Sequence, residues 1–363
     1  MNGINTGAKS SSSPRIAIVG YPGHAMVSRL CLELQRRGRS VTLVTPDQVV
    51  TEVRGNEVLV HPFCDQAPFS FVLLTVSTDE IAALQGLSAL ERTYVPIANT
   101  TNAVMRAADK FATAQVLASA GVRVPLSMSV CTEGAAQVHG QRLGYPFVLK
   151  AADGSEGSQV SLVTDPGELS AEIVRIRASL GLAPSVKSSL ILQEVVSGGL
   201  GRDRRLFVVG GNVQAAMDRV ARGCEWRSNM SRGATPVAAD PTPEEVHVAV
   251  TAATALELDF GTIDIMYDDD GPVVIEANPF GDVLDVAMTS GMDLIGSVAD
   301  LVDIFAGLRA DSPIVARPLP REERTELSNF CWDRLRRRIA QLEAERHRGI
   351  LNADACHQGR PDR

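Results

Sequence analysis

The sequence contains few lysines, few aromatic residues and no long apolar run. Aromatic residues make up 4% of the 363 residues, and of the 35 basic residues only four are lysine: Lys9, Lys110, Lys150 and Lys187. No apolar run reaches the roughly 18 residues of a membrane-spanning helix, and the Ser-rich residues 1–14 lack the apolar part of a signal peptide. These absences predict a soluble, cytoplasmic protein that does not bind membranes.

Cysteine and histidine are present but scattered, with six of each. No two cysteines have the CxxC spacing, and none pairs with histidine at the spacing of a zinc site. We therefore expect reduced thiols, and a metal centre or catalytic triad built on histidine has little support. The net charge of −8 and the pI of about 5.4 argue against nucleic acid as the main partner.

The length of 363 residues, 45% of them hydrophobic, allows two or three domains. The expected division is a disordered leader at residues 1–13, an N-terminal α/β domain at 14–101, a central subdomain at 102–196, a C-terminal subdomain at 197–310, and a Pro-rich linker with a charged helix at 311–363. That helix, at residues 322–348, carries an apolar stripe, from which we expect docking on a sister subunit and a homodimer or homotetramer.

The first hundred residues alternate short apolar runs with amphipathic segments, which predicts a parallel α/β sheet. The turn after the first strand contains Gly20 and Gly23, which do not complete the GxGxxG fingerprint of dinucleotide-binding proteins. A dehydrogenase using NAD is therefore disfavoured.

Two strand-like runs, 260–267 and 272–279, flank the acidic turn 268–271 and predict a β-hairpin. If 269–271 form a three-residue loop, Asp264 lies opposite Glu276, and Asn278 shares the face of Glu276. Three oxygen donors suit Mg²⁺, which takes its remaining ligands from water and phosphates. The alternative is that Asp264 and Glu276 are half-exposed strand residues paired with arginines, and the hairpin alone does not decide between the two.

Lys150 ends an apolar strand and is followed by the small-residue loop 151–158. Such a loop can fold over phosphates with its backbone N–H groups, although an ordinary hairpin turn would have the same composition. Arginines at 205, 219, 227 and 232 precede the acidic hairpin and form either an anion site or a solvated surface.

Taken together and in order, these motifs resemble those of the ATP-grasp carboxylate–amine ligases, most closely the RimK-like branch. The resemblance covers roughly residues 99–308. It rests on Asp109-Lys110, Val148-Leu149-Lys150, Leu192-Gln193-Glu194-Val195-Val196, Asp203-x-Arg205, Trp226-Arg227-Ser228-Asn229, Gly261-x-x-Asp264 and Glu276-x-Asn278.

The resemblance implies a three-part α/β architecture that binds ATP and Mg²⁺, with Mn²⁺ as an alternative, between the central and C-terminal subdomains. It implies that the residues touching the nucleotide are Lys110 and Lys150 at the phosphates, Gly154, Ser155, Gly157 and Ser158 in the mobile loop, Gln193, Glu194, Val195 and Val196 near adenine, and Asp203 near the ribose or Arg205. The implied metal ligands are Asp264, Glu276 and Asn278. Arg205, Arg227 and Asn229 are implied to face the transferred phosphoryl group.

The implied activity is ADP-forming ligation of a carboxylate to an amine through an acyl phosphate, with amino acids or small peptides as substrates. Two other functions stay open: cyclisation of one substrate by the same chemistry, and a regulatory protein that binds ATP without turnover. The chain departs from the resemblance at Pro279–Asp285, where related sequences have a small-residue turn. This departure leaves the acceptor substrate undefined.

Overall fold

The computed structural model describes residues 13–65, 68–76, 81–92, 95–152, 157, 159–181, 189–281, 283–308, 314–315 and 317–319. The expected leader, the loop residues Gly154, Ser155 and Ser158, and the charged helix at 322–348 lie outside the described residues. Within the described ranges, no helix has the length and apolar character needed to cross a membrane.

The N-terminal part contains a four-stranded parallel sheet and a separate two-stranded hairpin. The elements in chain order are β1 (Arg15–Val19), α1 (Ala25–Arg36), β2 (Ser40–Val44), β3 (Val50–Arg54), β4 (Glu57–His61), β5 (Phe71–Leu74), α2 (Ile81–Leu90) and β6 (Ile97–Ala98). The sheet has the order β2-β1-β5-β6 with every pair parallel, which confirms the expected α/β class. The hairpin of β3 and β4 was not expected, because its apolar residues, including Val50, Val53 and Val58, are exposed and do not follow a core pattern.

The central part is an antiparallel sheet covered on one face by helices. It comprises α3 (Thr101–Ala108), α4 (Lys110–Ser119), β7 (Ser127–Val130), α5 (Glu133–Leu143), β8 (Phe147–Ala151), β9 (Val160–Val163), α6 (Leu169–Ser179) and β10 (Leu190–Glu194). The strand order is β7-β10-β8-β9. Phe147 and Leu149 of β8 pack with α5 and α6 in one core. Because side chains alternate along a strand, Val148 and Lys150 project to the other face.

The C-terminal part is a five-stranded antiparallel sheet with helices on both faces. It comprises β11 (Arg202–Val209), β12 (Asn212–Val220), β13 (Thr235–Ala239), α7 (Pro243–Ala255), β14 (Phe260–Asp268), β15 (Gly271–Asn278), α8 (Val283–Ser290) and α9 (Leu294–Phe305), with the strand order β13-β12-β11-β14-β15. Thr242 starts α7 with a capping box, in which its side chain and that of Glu245 each accept a backbone N–H of the other residue.

Strand β11 is apolar on both faces at one end and carries charged side chains at the other end. Leu206 and Val208 pack in a core with α7 and α4 on one side of the sheet. Phe207 and Val209 pack on the other side, in a core shared with β1, α1 and α9. Asp203 and Arg205 share the face of Phe207 but lie near the other end of the strand, where the sheet borders the central part. The sheet therefore packs its apolar end against the N-terminal part and presents its charged end to the site.

The thiol expectation holds in part. Cys31, Cys64 and Cys131 are free, but Cys224 is disulfide-bonded, so the expectation of reduced thiols is wrong for that residue. The scattered cysteine positions carry no spacing from which a pairing could be read.

Helices α1 and α9 are joined by an arginine that contacts three carboxylates. The guanidinium of Arg37 donates to Glu33 at 2.7 Å, to Asp300 at 2.7 Å and to Asp303 at 3.0 Å. Arg39 donates to Asp303 as well, at 2.8 Å. Without Arg37, Asp300 and Asp303 would lose a counter-charge in a partly buried contact.

We expect Arg37→Met to lower the free energy of unfolding by about 1–3 kcal/mol, because Glu33, Asp300 and Asp303 each lose one of their cationic partners in a partly buried contact. The measurement is urea denaturation at neutral pH. Arg36→Met is the matched control, because Arg36 is the next residue and its side chain is 76% exposed, against 17% for Arg37; its effect should be close to zero. Equal losses in the two variants would contradict this interpretation.

Candidate active site

The register of the β14–β15 hairpin places the predicted oxygen donors together. Asp264 lies directly opposite Glu276, and Thr262 directly opposite Asn278. The loop, however, has two residues, because Asp268 pairs with Gly271. A bulge between Asp264 and Ile265 restores the predicted pair. The pairing of Asp264 with Glu276 is confirmed, but the three-residue loop from which it was derived is wrong.

A cleft lies between the central and C-terminal sheets and encloses about 840 Å³, open solvent at its mouth included. The predicted site residues that line it are Lys110, Lys150, Gly157, Gln193, Glu194, Val195, Val196, Asp203, Arg227, Asn229 and Glu276. Arg205, Asp264 and Asn278 do not line it, and Gly154, Ser155 and Ser158 lie outside the described residues.

Lys150 is buried in the cleft wall with a neutral partner. Its Nζ donates to Gln193 Oε1 at 3.0 Å, and Gln193 Nε2 donates to Ser127 Oγ at 2.9 Å. The pKa of Lys150 is lowered to about 8, chiefly by burial and also by the positive charge of Lys110, while Glu276 opposes the change. A lysine in this state gains stability from any anion that enters the cleft.

Lys110 is the first residue of α4 and also lines the cleft. Asp109 caps this helix by accepting from the backbone N–H groups of Phe111 and Ala112. The backbone N–H of Lys110 donates to Ala152 O at 3.0 Å, which ties the helix start to the end of β8. The Nζ of Lys110 lies 3.2 Å from Glu276 Oε1. Two lysines distant in sequence are thus held beside one carboxylate.

Asp264 is fully buried in an arginine network that follows from strand register. Arg205 lies directly opposite it and donates to both carboxylate oxygens, at 2.8 and 2.7 Å. Arg219 donates to Asp264 at 2.8 Å and also pairs with Asp203, at 2.6 Å. Burial would raise the pKa of Asp264, but the two guanidinium groups outweigh it and hold the pKa below its usual value. Asp264 is therefore an ionised carboxylate paired with arginines. The alternative to the metal hypothesis expected this pairing, but it expected a half-exposed residue, and Asp264 is fully buried.

Asn278 carries the observation that bears most on a metal. Among the described residues, the amide Nδ2 of Asn278 and the Oγ1 of Thr262 opposite it are both buried without a hydrogen-bond partner. A half-turn of this amide puts its oxygen at the unpartnered position. With the carboxylate of Glu276, which pairs with Lys110 at the cleft wall, the amide then gives oxygen donors that fit Mg²⁺.

The end of the small-residue loop contacts the C-terminal part at Gly157. Its carbonyl accepts from Arg227 at 3.2 Å and from Arg232 at 3.1 Å. Its φ is +67°, and a Cβ at this position would lie 2.5 Å from Asn229 Oδ1. Arg227 also donates to Glu225, at 2.8 Å. Arg227 and Asn229 therefore contact the loop that borders the cleft.

The polar side chains of Gln193 and Glu194, which line the cleft, are already hydrogen-bonded. The amide of Gln193 is engaged by Lys150 and Ser127, and Glu194 Oε1 accepts from the backbone N–H of Leu126 at 2.7 Å. The backbone edge of Val195 and Val196 thus stays the better prediction for purine hydrogen bonds.

Sequence reasoning missed the apolar walls of the cleft: Val148, Val160, Leu200, Met266 and Ile275. Val148 could have been found, because it shares a strand face with Lys150. Ile275 could not, since adjacent strand residues normally face opposite sides. Ile275 and Glu276 both line the cleft next to the bulge, which no sequence signal announced.

The sequence model of the RimK-like ATP-grasp domain matches residues 107–302. The chain belongs to the RimK-like ATP-grasp family. A protein named probable alpha-L-glutamate ligase from Xanthomonas oryzae pv. oryzae (strain MAFF 311018) is 30% identical over 304 residues, which cover 82% of this chain and the whole of that protein. One of the same name from Thioalkalivibrio sulfidiphilus is 34% identical over 206 residues, 56% of this chain and 66% of that protein.

Among solved structures, the ATP-grasp ligase PsnB with a phosphomimetic variant of its minimal precursor, Mg and ADP has a TM-score of 0.59 at 19% identity, covering 81% of this chain and 99% of PsnB. This likeness shows the fold, and family membership makes the chain an ATP-dependent ligase. The ATP-grasp resemblance and fold class expected from the sequence are confirmed; the roles of individual residues stay predictions.

In this ATP-grasp chain, we expect Gly157→Ala to lower kcat/KM at least tenfold, because the added Cβ meets Asn229 and displaces the loop. The measurement is ATP-dependent turnover with ADP release as the readout. Gly181→Ala is the matched control: Gly181 has the same φ of +67°, but no atom of the described residues lies within 4 Å of the added Cβ. Both variants should lose about 1–2 kcal/mol of stability from backbone strain. Equal activity in the two would refute the contact argument.

The lowered pKa of Lys150 predicts how nucleotide affinity depends on pH. Below about pH 8 the amine is charged and attracts phosphates; above it the amine loses its proton, so affinity should fall as pH rises. The measurement is the Kd of ADP without metal from about pH 7 to about pH 9.5, with a loss of up to tenfold per unit above the pKa. Lys150→Met should bind weakly with no such step. A flat profile in the unmutated protein would contradict the assignment.

Proposed function

We propose that the protein joins a carboxylate to an amine in an ADP-forming reaction, through an acyl phosphate, with amino acids or small peptides as substrates. The observation that carries the proposal is the convergence of Lys110, Lys150 and Glu276 in one cleft between two sheets. These residues are distant in sequence. The packing of the fold gives no reason for two lysines and a carboxylate to meet in one cleft.

The charges of the cleft support a nucleotide that arrives with a divalent cation. Among the described residues, four cationic side chains line the cleft, Lys110, Lys150, Arg219 and Arg227, and three acidic ones, Glu194, Asp203 and Glu276. A triphosphate carries more negative charge than this small excess can balance. Mg²⁺ supplies the missing charge when bound, and Glu276 and Asn278 are the residues that fit it best; Asp264 joins them if one of its arginines moves away.

In the proposed reaction the substrate carboxylate attacks the γ-phosphorus of ATP, and ADP leaves. The amine then attacks the acyl carbon, and phosphate leaves as the amide bond forms. Two anions must approach each other in the first step, so positioned cations lower its barrier more than any protein nucleophile could. Lys110 and Lys150 are proposed to hold the phosphates. The apolar side chains of Val148, Met266 and Ile275 line the same cleft and suit a purine ring.

The acceptor is proposed to bind where the N-terminal part reaches the turn after β15. The amide of Asn99 donates to the carbonyls of Phe260, at 2.8 Å, and Pro279, at 3.0 Å. The ring of His24 lies 4.9 Å from that of Phe280 in the same turn. The segment that departs from the family pattern, Pro279–Asp285, thus begins beside the turn that follows β1. The name shared by the relatives makes L-glutamate the first substrate to test.

The test is ADP and phosphate release by the full chain with Mg-ATP, over a panel of amino acids and short peptides that begins with L-glutamate. We expect release that depends on one acid and one amine, with a product heavier than the acceptor by one residue. Lys150→Met should lower the rate at least about 10²-fold with an unchanged circular dichroism spectrum.

Arg36→Met, on the exposed face of α1, is the control and should keep full activity. An unmutated rate in Lys150→Met would sink the assignment of the cleft. Release of neither product with any substrate would favour the regulatory alternative, and a product lighter than its single substrate by one water would identify cyclisation.

A further inference from the structure

A second cluster of polar side chains lies on the hairpin of β3 and β4 and in the turn that follows it. Glu52 comes from β3, His61 ends β4, and Cys64 and Asp65 occupy the turn. None of the four lines the cleft between the sheets. The proposed ligase reaction therefore assigns no function to this cluster.

Three different ligand atoms converge at the Nδ1 edge of the His61 ring. Its Nδ1 lies 2.9 Å from Asp65 Oδ1 and 3.3 Å from Cys64 Sγ. The third separation, from Cys64 Sγ to Asp65 Oδ1, is 3.6 Å. A tetrahedral zinc ion holds nitrogen, sulfur and oxygen ligands at about 2.0–2.3 Å, which places those ligands roughly 3.3–3.7 Å apart. Two of the three separations match this spacing, and the third needs an opening of about half an ångström.

The other ring nitrogen has the partner that metal-bound histidines commonly have. Nε2 of His61 lies 3.5 Å from Glu52 Oε2, and the strand register explains the contact, because Val50 pairs with His61 and Glu52 is two residues further along β3. A carboxylate that accepts from Nε2–H keeps a proton on that nitrogen, so that once Nδ1 has released its own proton its lone pair is directed at the other ligands.

The backbone holds the turn in this shape. The N–H of Cys64 donates to Val60 O at 3.0 Å, and that of Asp65 to Pro62 O at 3.3 Å. Pro62 also restricts its own φ. The three ligand residues are thus fixed within five positions of the chain, which lowers the entropy cost of binding an ion.

We propose that His61 Nδ1, Cys64 Sγ and a carboxylate oxygen of Asp65 bind one Zn²⁺ ion, with Glu52 orienting the histidine. The ion replaces the thiol proton of Cys64 and the Nδ1 proton of His61, and both protons go to solvent. A thiolate beside an imidazole selects zinc over Mg²⁺ or Ca²⁺, which prefer oxygen. Cys64 and Asp65 are exposed, so the fourth position faces solvent and is open to water or to a ligand from a partner.

The test uses the full chain, stripped of metal by a chelator and dialysed against Zn²⁺ without a thiol reductant. Zinc is counted by elemental analysis. We expect the unmutated protein and Cys131→Ser to hold one equivalent more than Cys64→Ser or His61→Ala. Cys131 is the matched control, because it is also a free, exposed cysteine but has no place in the cluster. Binding of Co²⁺ should produce a thiolate-to-cobalt absorption band that Cys64→Ser lacks and Cys131→Ser keeps.

Glu52→Gln keeps all three ligands and provides a variant whose folding is not at stake. It should bind Zn²⁺ about 10–100-fold more weakly than the unmutated protein. Equal zinc content in the unmutated protein and Cys64→Ser, or a cobalt complex without the thiolate band, would overturn the proposal and leave the cluster a hydrogen-bonded surface turn. Neither outcome bears on the ligase reaction, since no cleft residue is changed.

Discussion

Burial of a lysine amine between two sheets is the constraint on which the site depends. Lys150 must have an acceptor, which Gln193 supplies, and a nearby negative charge, which Glu276 supplies from the other sheet. The second lysine, Lys110, shares that carboxylate and lowers the pKa of Lys150. The cleft therefore holds its cations in a state that an anionic ligand stabilises. ATP, the nucleotide substrate of an ATP-dependent ligase, is such an anionic ligand.

The N-terminal and C-terminal parts are joined by contacts that position one wall of the cleft. The C-terminal sheet shares a core with the N-terminal part, and Arg37 joins α1 to α9 across that boundary. Cross-strand ion pairs of Arg205 with Asp264 and of Arg219 with Asp203 fix the charged end of the same sheet. The central sheet has its own core, separate from these contacts. Lys150 therefore belongs to the central sheet and Glu276 to the C-terminal sheet.

Much of this could be predicted where a pattern has one physical cause. Strand alternation and turn composition located β14 and β15 and the facing of Asp264 and Glu276. The same reasoning failed on loop length, because a two-residue turn with a bulge and a three-residue turn without one give the same pair. It could not tell that Asp264 is buried with arginines, since that follows from the register of β11 and β12. The hairpin of β3 and β4 escaped because its apolar residues face solvent, and with it the cluster around His61. The domain boundaries and the oligomeric state stay predictions.

Lys110, Lys150 and Glu276 are expected to bind one nucleotide together with its metal ion. The most direct measurement is a crystal structure with Mn²⁺ and a non-hydrolysable ATP analogue, in which anomalous scattering locates the metal. The account predicts a metal peak within coordination distance of Glu276 and Asn278, phosphates at Lys110 and Lys150, and an opened Lys110–Glu276 ion pair. The same crystal structure would show whether Asp264 gives up an ion pair with an arginine and binds the metal instead. Nucleotide bound outside the cleft, or a metal with no contact to Glu276, would contradict the account.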